Sequence, residues 1–415
     1  MGIAKALALE PRAWTGTRRK AAAILRPVTA AGALDIALVD SRDALARLEA
    51  EWTTLWNASE GASGLFLGFN WVWNWCQHYL DIEASGLAIV TARRNGRLVM
   101  VWPLVLECQL GLRTASFLGA PVSQYGDVLV DRTDDRHMDW VEESWNYITA
   151  QLAVDLVHLR KVRADSAVAV MLARVGAKAS NEEAAPYIAL AGEASFEAFD
   201  QRFSAKDRKN RRRKRKRLGE QGAVGFRRSN SAPAATQALR QAMVWKRDWI
   251  EDGSHVSTAI ADQRFDGFFA ALLSDDSRTA GVETFELTLD GRPVAIKVAV
   301  TCGSYRGMHL TAYDRAHEKC SPGALLVEEM IGAGLADGVK TLDFLAPAFG
   351  YKLEWASGTV TIADYCVPVT VMGQAYQELY VRRLRPRLKS LAAEGPAPIR
   401  RLISGAVKLM GNHGS

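Results

Sequence analysis

Apolar positions along the chain switch between a spacing of two and a spacing near 3.6, the mark of strands interleaved with amphipathic helices. Ile36 to Val39 reads as a strand. After it, Leu45, Leu48, Trp52 and Leu55 recur at helical spacing, with Asp40 and Ser41 offering the oxygens that cap a helix start. Trp71, Trp75 and Tyr79 fall at i, i+4 and i+8, with Trp73 between them; a core face is the first expectation and ligand stacking the alternative. Residues 87–107 hold two apolar, β-rich runs joined at Asn95-Gly96, which calls for a hairpin with a type I′ turn. A comparable unit returns in residues 285–300, where Asp290-Gly291-Arg292 replaces Asn95-Gly96-Arg97.

The second half continues with a strand from Ser304 to Tyr313, a loop, a helix from Pro322 to about Asp337 and a strand from Lys340 to Phe344. Between the halves, residues 180–203 pass from polar loop to strand to amphipathic helix, which sets a boundary near residue 192. The expectation is an α+β protein with domains at 34–192 and 193–380, a basic segment 1–33 and a basic tail 381–415. A length of 415 residues suits two cores of ordinary size.

Composition narrows the class. No stretch reaches the roughly 18 apolar residues of a membrane-spanning helix. Cys76, Cys108, Cys302, Cys320 and Cys366 are odd in number and form no C-x-x-C pair, which argues against a disulfide framework and a zinc site, so no metal is expected. With no secretory pattern at the N-terminus, the cytosol is the expected compartment. The net charge of +6 is uneven: both ends are basic, the body between them is mildly acidic, and residues 202–217 hold eleven basic residues against Asp207.

One helix start is well specified. Ser321 can cap it, Pro322 suits its first position, and Gly323 leaves the backbone open to close approach. Such an end binds phosphate when a ligand offers one, although a capped helix binding nothing is the plainer reading of this segment alone.

Taken in order, Trp71/Trp75, Trp102-Pro103-Leu104, Phe117-Leu118-Gly119, Tyr125-Gly126-Asp127, the basic run ending Arg217-Leu218, Trp245-Lys246, Tyr313-Asp314, Ser321-Pro322-Gly323, Asp343-Phe344 and Tyr351-Lys352 resemble the CelD-type acetyltransferases of cellulose biosynthesis. The resemblance spans about residues 34–380. It implies two tandem GNAT-like folds with mixed sheets flanked by helices, related to FemAB-like transferases, and acetyl-CoA or another acyl-CoA as donor. It implies that the strands 304–313 and 340–344 splay apart with pantetheine paired to one of them, that the pyrophosphate rests on the turn Ser321, Pro322, Gly323 and Ala324, and that Tyr313 also binds the donor. The usual Q/R-x-x-G-x-G/A phosphate loop is absent, and Ser-Pro-Gly-Ala stands in its place.

For transfer itself, Asp343 is a candidate base or acceptor-orienting group, Lys352 a ligand for phosphate or an acceptor oxygen, and Tyr351 a proton donor to the thiolate. His309 and Asp127 are further catalytic candidates, each with a structural alternative; Trp245, Lys246, Tyr125 and Arg212 are candidate substrate contacts. Cys320 stands beside the helix start, where thiolates are stabilised, but no His/Asp partner points to a covalent route. The implied function is acyl transfer to a saccharide or envelope precursor. Aminoacyl transfer from tRNA and a non-catalytic module of a polysaccharide-synthesis complex are the alternatives. Residues 202–217 read as a solvated helix that attracts an anionic substrate, with nucleic acid not expected. The tail alternates Arg/Lys with Leu, Ile and Val, as a peripheral helix on an anionic membrane does.

Overall fold

The computed structural model describes residues 34–59, 61–81, 84–109, 111–229, 231–251, 258–274, 281–384 and 387. The basic segment 1–33 and most of the expected basic tail, residues 385–386 and 388–415, lie outside the described residues. The chain divides into two compact units, each discontinuous in sequence. The first holds the residues up to Leu55, Tyr79–Glu182 and those from Ala363 on; the second holds Trp56–His78 and Glu183–Ile362.

In the first unit, β1 (Leu34–Val39), β2 (Ser85–Arg94), β3 (Arg97–Gln109) and β4 (Leu112–Phe117) are antiparallel neighbours. A short β5 (Leu129–Val130) pairs with β3, and the helix His137–Gln151 leads to β6 (Leu156–Arg163), which lies parallel to β4. The strand β7 (Ala179–Ala189) follows, and its residues from Glu183 on belong to the second unit. In the second unit, β8 (Val224–Arg228), β9 (Val282–Leu289), β10 (Arg292–Cys302) and β11 (Tyr305–Tyr313) repeat the antiparallel order. The helix Pro322–Ala336 then leads to β12 (Thr341–Asp343), parallel to β11, and β13 (Gly358–Pro368) follows, its residues from Ala363 on belonging to the first unit. Each unit thus runs through an antiparallel meander, a helix and a parallel strand, giving mixed sheets flanked by helices.

The two hairpins form as their dipeptides dictate. Asn95 and Gly96 adopt φ of 51° and 80°, Asp290 and Gly291 adopt 49° and 76°, and the flanking pairs are Arg94↔Arg97 and Leu289↔Arg292. Two positive φ values in succession are what a type I′ turn requires, and they match the twist of the strands they join. Inward residues then build each core. Val90, Val99 and Trp102 pack with Trp140, Val141 and Ile148 in the first unit; Phe285, Leu287, Ala295 and Ala299 pack with Leu326 and Met330 in the second. Trp71 is core, set edge-on to Phe268 with ring centroids 4.9 Å apart.

Two local expectations are corrected. The helical stretch through Leu45 and Leu55 is two helices, Arg42–Ala46 and Glu49–Asn57, because the Leu48 amide donates to the Leu45 carbonyl and tightens the chain between them. The polar stretch beginning at Ser180 is part of β7 and not a loop. Its side chains can be polar because they are mostly exposed, and Ser180 and Asn181 bond to Asp364, with Asn181 tolerating a φ of 48°.

Candidate active site

The geometry of interest lies within the second unit, where two parallel strands part. β11 and β12 pair at Tyr305↔Thr341, Arg306↔Leu342 and Gly307↔Asp343; β12 ends there, while β11 runs on to Tyr313. Asp343 therefore sits at the base of a fork. It is fully buried, and its carboxylate accepts the Tyr305 hydroxyl at 2.6 Å and the Leu345 amide at 2.7 Å. The second bond holds Leu345 at a φ of 58°, the left-handed region that a branched residue rarely enters. Backbone held in this way concentrates at sites where position matters more than local stability.

Pro322 occupies the first turn of its helix as expected, but Ser321 does not cap it with its side chain. The reason is conformational: Ser321 is left-handed (φ 51°, ψ 55°), and a hydroxyl reaches the second and third amides only from an extended backbone. Its carbonyl instead takes the Ala324 and Leu325 amides at 3.0 and 3.2 Å. What the helix start presents is the positive end of its dipole. Gly323 places that start on β11, since a Cβ there would stand 3.5 Å from the Tyr313 ring and 3.7 Å from the Thr311 methyl.

Three lysines gather around this point. Lys297, opposite Thr311 in the β10–β11 register, is fully buried and donates to the Thr311 hydroxyl at 2.7 Å. Burial pulls it down to about 7. Lys246 lies 4.5 Å from the Trp249 ring, and burial followed by the charge of Lys297 lowers it to about 8. Lys352 donates to the Leu345 and Pro347 carbonyls at 3.0 and 3.1 Å; burial first, then Lys297, lower it to about 8 despite the opposing pull of Asp343. Tyr351 is hydrogen-bonded to the same Thr311 hydroxyl group, and burial raises it. Among the described residues, neither Lys246 nor Lys297 is paired with a carboxylate. Such a cluster attracts an anion, and its members exchange protons near neutral pH.

The structure thus brings Asp343, Tyr351, Lys352, Tyr313, Lys246 and the Ser321–Ala324 turn into one region of the second unit. Trp245 is half-buried beside Lys246. His309, two residues before Thr311 on β11, lies among the rings of Phe66, Trp71 and Phe269 at 5.9, 6.0 and 4.9 Å. Asp127 and Tyr125 belong to the first unit: buried Asp127 accepts the Val168 amide at 3.2 Å and lies 3.6 Å from Arg132, and Arg163 covers the Tyr125 ring at 4.7 Å. Lys297 and Thr311 were not expected. A lysine inside Val-Ala-Ile-Lys-Val-Ala-Val was the available signal, because a central strand excludes an unpaired charge unless it has a use. No group of His, Cys, Asp and Glu among the described residues is arranged to hold a metal.

The basic run is a helix, Ala205–Gly219, whose start Ser204 caps by accepting the Asp207 amide at 3.1 Å. Its expected full solvation holds for Arg212 but not for two of its neighbours. Arg211 pairs with Asp200 and, at 3.1 Å, with Glu328, and lies 4.6 Å from the rings of Phe203 and Trp355. Arg215 takes Glu328 at 3.0 Å and Glu329 at 2.8 Å. The two arginines are drawn out of water because both glutamates stand on the helix Pro322–Ala336. Burial raises Glu328 against the pull of Arg215 and Arg211.

A meander, a helix and a diverging parallel strand define the GNAT acyltransferase fold. Residues 205–353 match the acetyltransferase (GNAT) domain family, a span that contains the fork, the lysines and the basic helix. A crystal structure of FemX is similar over 83% of this chain and 99% of its own, with a TM-score of 0.56 and 12% identity. The C-terminal domain (DUF2156) of a candidate lysylphosphatidylglycerol synthetase from Agrobacterium fabrum is similar over 81% of this chain and 96% of its own, with a TM-score of 0.51 and 12% identity. A conserved protein of unknown function from Bacteroides thetaiotaomicron is similar over 80% of this chain and 100% of its own, with a TM-score of 0.51 and 8% identity. No curated protein matches the sequence. Among the described residues, no helix is long and apolar enough to cross a membrane.

Proposed function

We propose that the second unit transfers an acyl group from acetyl-CoA or another acyl-CoA to an amine or hydroxyl of a saccharide or other cell-envelope precursor. The observation that carries this reading is the fork, with Asp343 buried at its base and a dipole end set against the unshared length of β11. Pantetheine then pairs with β11 beyond Gly307, and the pyrophosphate meets Tyr313 and the turn Ser321, Pro322, Gly323 and Ala324. Asp343 orients or deprotonates the acceptor, Lys352 holds an acceptor oxygen or phosphate, and Tyr351 protonates the leaving thiolate. Trp245, Lys246 and Arg212 meet the anionic parts of the ligands. In this reading residues 34–192 and 193–380 are tandem domains of one descent. The CelD-type resemblance supports a saccharide acceptor, and the names of the FemX and synthetase structures support the cell envelope.

A second reading, FemAB-like aminoacyl transfer from tRNA, is favoured by the exposed cations Lys206, Lys209, Arg212, Arg213, Lys216 and Arg217. Calorimetric titration with acetyl-CoA, longer acyl-CoAs and aminoacyl-tRNA separates the two. Gly323→Val is expected to weaken thioester binding by crowding Tyr313 and Thr311, while Asp343→Asn and Lys352→Met retain it and slow transfer by about 10²–10⁴-fold. Binding of aminoacyl-tRNA alone favours the second reading, binding of neither donor favours a silent module, and full activity in the Asp343→Asn, Lys352→Met double variant rejects the site.

A further inference from the structure

The side chain of Lys297 stands apart from the acyl-transfer roles assigned above, yet its placement links it to them. It projects from the middle of β10 between the apolar Ile296 and Val298 and is fully buried. Antiparallel register sets it opposite Thr311, so the two side chains leave the sheet together and its ammonium donates to the Thr311 hydroxyl at 2.7 Å. The same hydroxyl group is hydrogen-bonded to Tyr351, whose ring centroid is 5.5 Å from the Lys297 nitrogen. A single hydroxyl therefore connects a buried ammonium to a buried phenol.

We propose that Lys297, acting through Thr311, returns to Tyr351 the proton that Tyr351 gives to the departing thiolate. The proposal rests on the acyl-transfer reading of this site. As the acceptor nitrogen or oxygen bonds to the acyl carbon, the carbon–sulfur bond breaks, and the sulfur keeps the electron pair and takes the Tyr351 proton. The phenolate oxygen takes the Thr311 proton, and the Thr311 oxygen takes one from the Lys297 ammonium. The proton shed by the acceptor returns through solvent to the neutral amine, so the cycle closes without net gain or loss. Lys297 is a positioning residue in this scheme, because it reaches the reacting atoms only through Thr311 and Tyr351.

The titratable groups around Lys297 come from several elements. Lys246 approaches from the helix Ala232–Glu251, Tyr351 and Lys352 from the helix Tyr351–Trp355, Thr311 and Tyr313 from β11, and Asp343 from β12 beside Lys352. Burial holds Lys297 at about 7. It is charged below that pH and spent above it, while Tyr351 is raised, so proton flow from lysine to phenolate is downhill. Transfer supported by the relay therefore declines as pH rises through about 7.

The experiment follows release of free thiol from acetyl-CoA against pH, with whichever amine or hydroxyl acceptor, or water, gives the fastest release. Wild type should show the decline near pH 7. Lys297→Met and Thr311→Val should abolish it and lower kcat on the order of 10-fold or more, a larger effect than any rise in acetyl-CoA KM, with the circular dichroism spectrum unchanged. Lys297→Arg keeps a charge that is never surrendered, so its profile should also be flat and its rate low. A decline that persists in Lys297→Met while Tyr351→Phe slows transfer overturns the relay and leaves the role of Tyr351 standing. Wild-type rates in Tyr351→Phe, or no thiol release by wild type above the enzyme-free control, overturn the site reading and the relay together.

Discussion

Replacing Lys297 by Met should make the protein more stable, and more so in acid than in alkali. The ammonium has an ordinary value of 10.5 in the unfolded chain and about 7 in the folded one. That displacement corresponds to on the order of 5 kcal/mol of folding free energy spent on a charge out of water. Because Lys297 is fully buried, solvent does not screen this cost. Against it stands one charge-assisted hydrogen bond to Thr311, worth about 2 kcal/mol, and a methionine follows the same path as the lysine stem without opening a cavity. The electrostatic effect wins by several kcal/mol. The sign follows from proton counts: below pH 7 both states hold the proton and the full cost is present, whereas between 7 and 10.5 only the unfolded state holds it, so wild-type stability climbs with pH across that window. The gain from Lys297→Met should be largest at pH 6 and shrink toward pH 10. Relief of Lys246 and Lys352, both lowered by Lys297, adds in the same direction. Urea midpoints at pH 6, 8 and 10, with unchanged m-values, measure it. A variant less stable than wild type at pH 6, or a difference equal at all three pH values, refutes the reasoning.

Two further outcomes test the frame around the site. Arg211→Gln should cost about 1–3 kcal/mol in thermal unfolding, because it withdraws a partner from half-buried Glu328 and Asp200, whereas Arg212→Gln with Arg213→Gln should leave the midpoint in place and weaken only the binding of anions. In the first unit, Gly373→Ala drives a Cβ to 1.9 Å from the Asp155 carbonyl, so it should destabilise by about 1–3 kcal/mol or expose the C-terminal segment to limited proteolysis.

Local chemistry made much of this fold legible. Asn95-Gly96 and Asp290-Gly291 specified their turns, because few dipeptides accept two positive φ values, and Pro322 marked a helix start by lacking a donor it did not need. Ser321 misled because its side chain says nothing about its backbone, which is left-handed here. The polar stretch from Ser180 reads as loop in the sequence because its bonds to Asp364 span more than 180 positions, a distance that spacing cannot report. Of the site, Asp343, Tyr351 and Lys352 were found through the resemblance. Thr311 was invisible, since a threonine in a strand is ordinary until the partner strand supplies Lys297.

The helix Ala205–Gly219 carries its charges in two environments. Arg211 and Arg215 meet Glu328 and Glu329 at close range and partly out of water, whereas Lys206, Lys209, Arg212, Arg213, Lys216 and Arg217 face solvent. Counterions shorten the reach of an exposed charge to about 8 Å at physiological ionic strength but do little to a contact pair. Rising salt should therefore strip away the long-range pull of this helix while leaving it anchored. The electrolyte then sets how often an anionic ligand arrives, and has little say in whether the surface that receives it holds its shape.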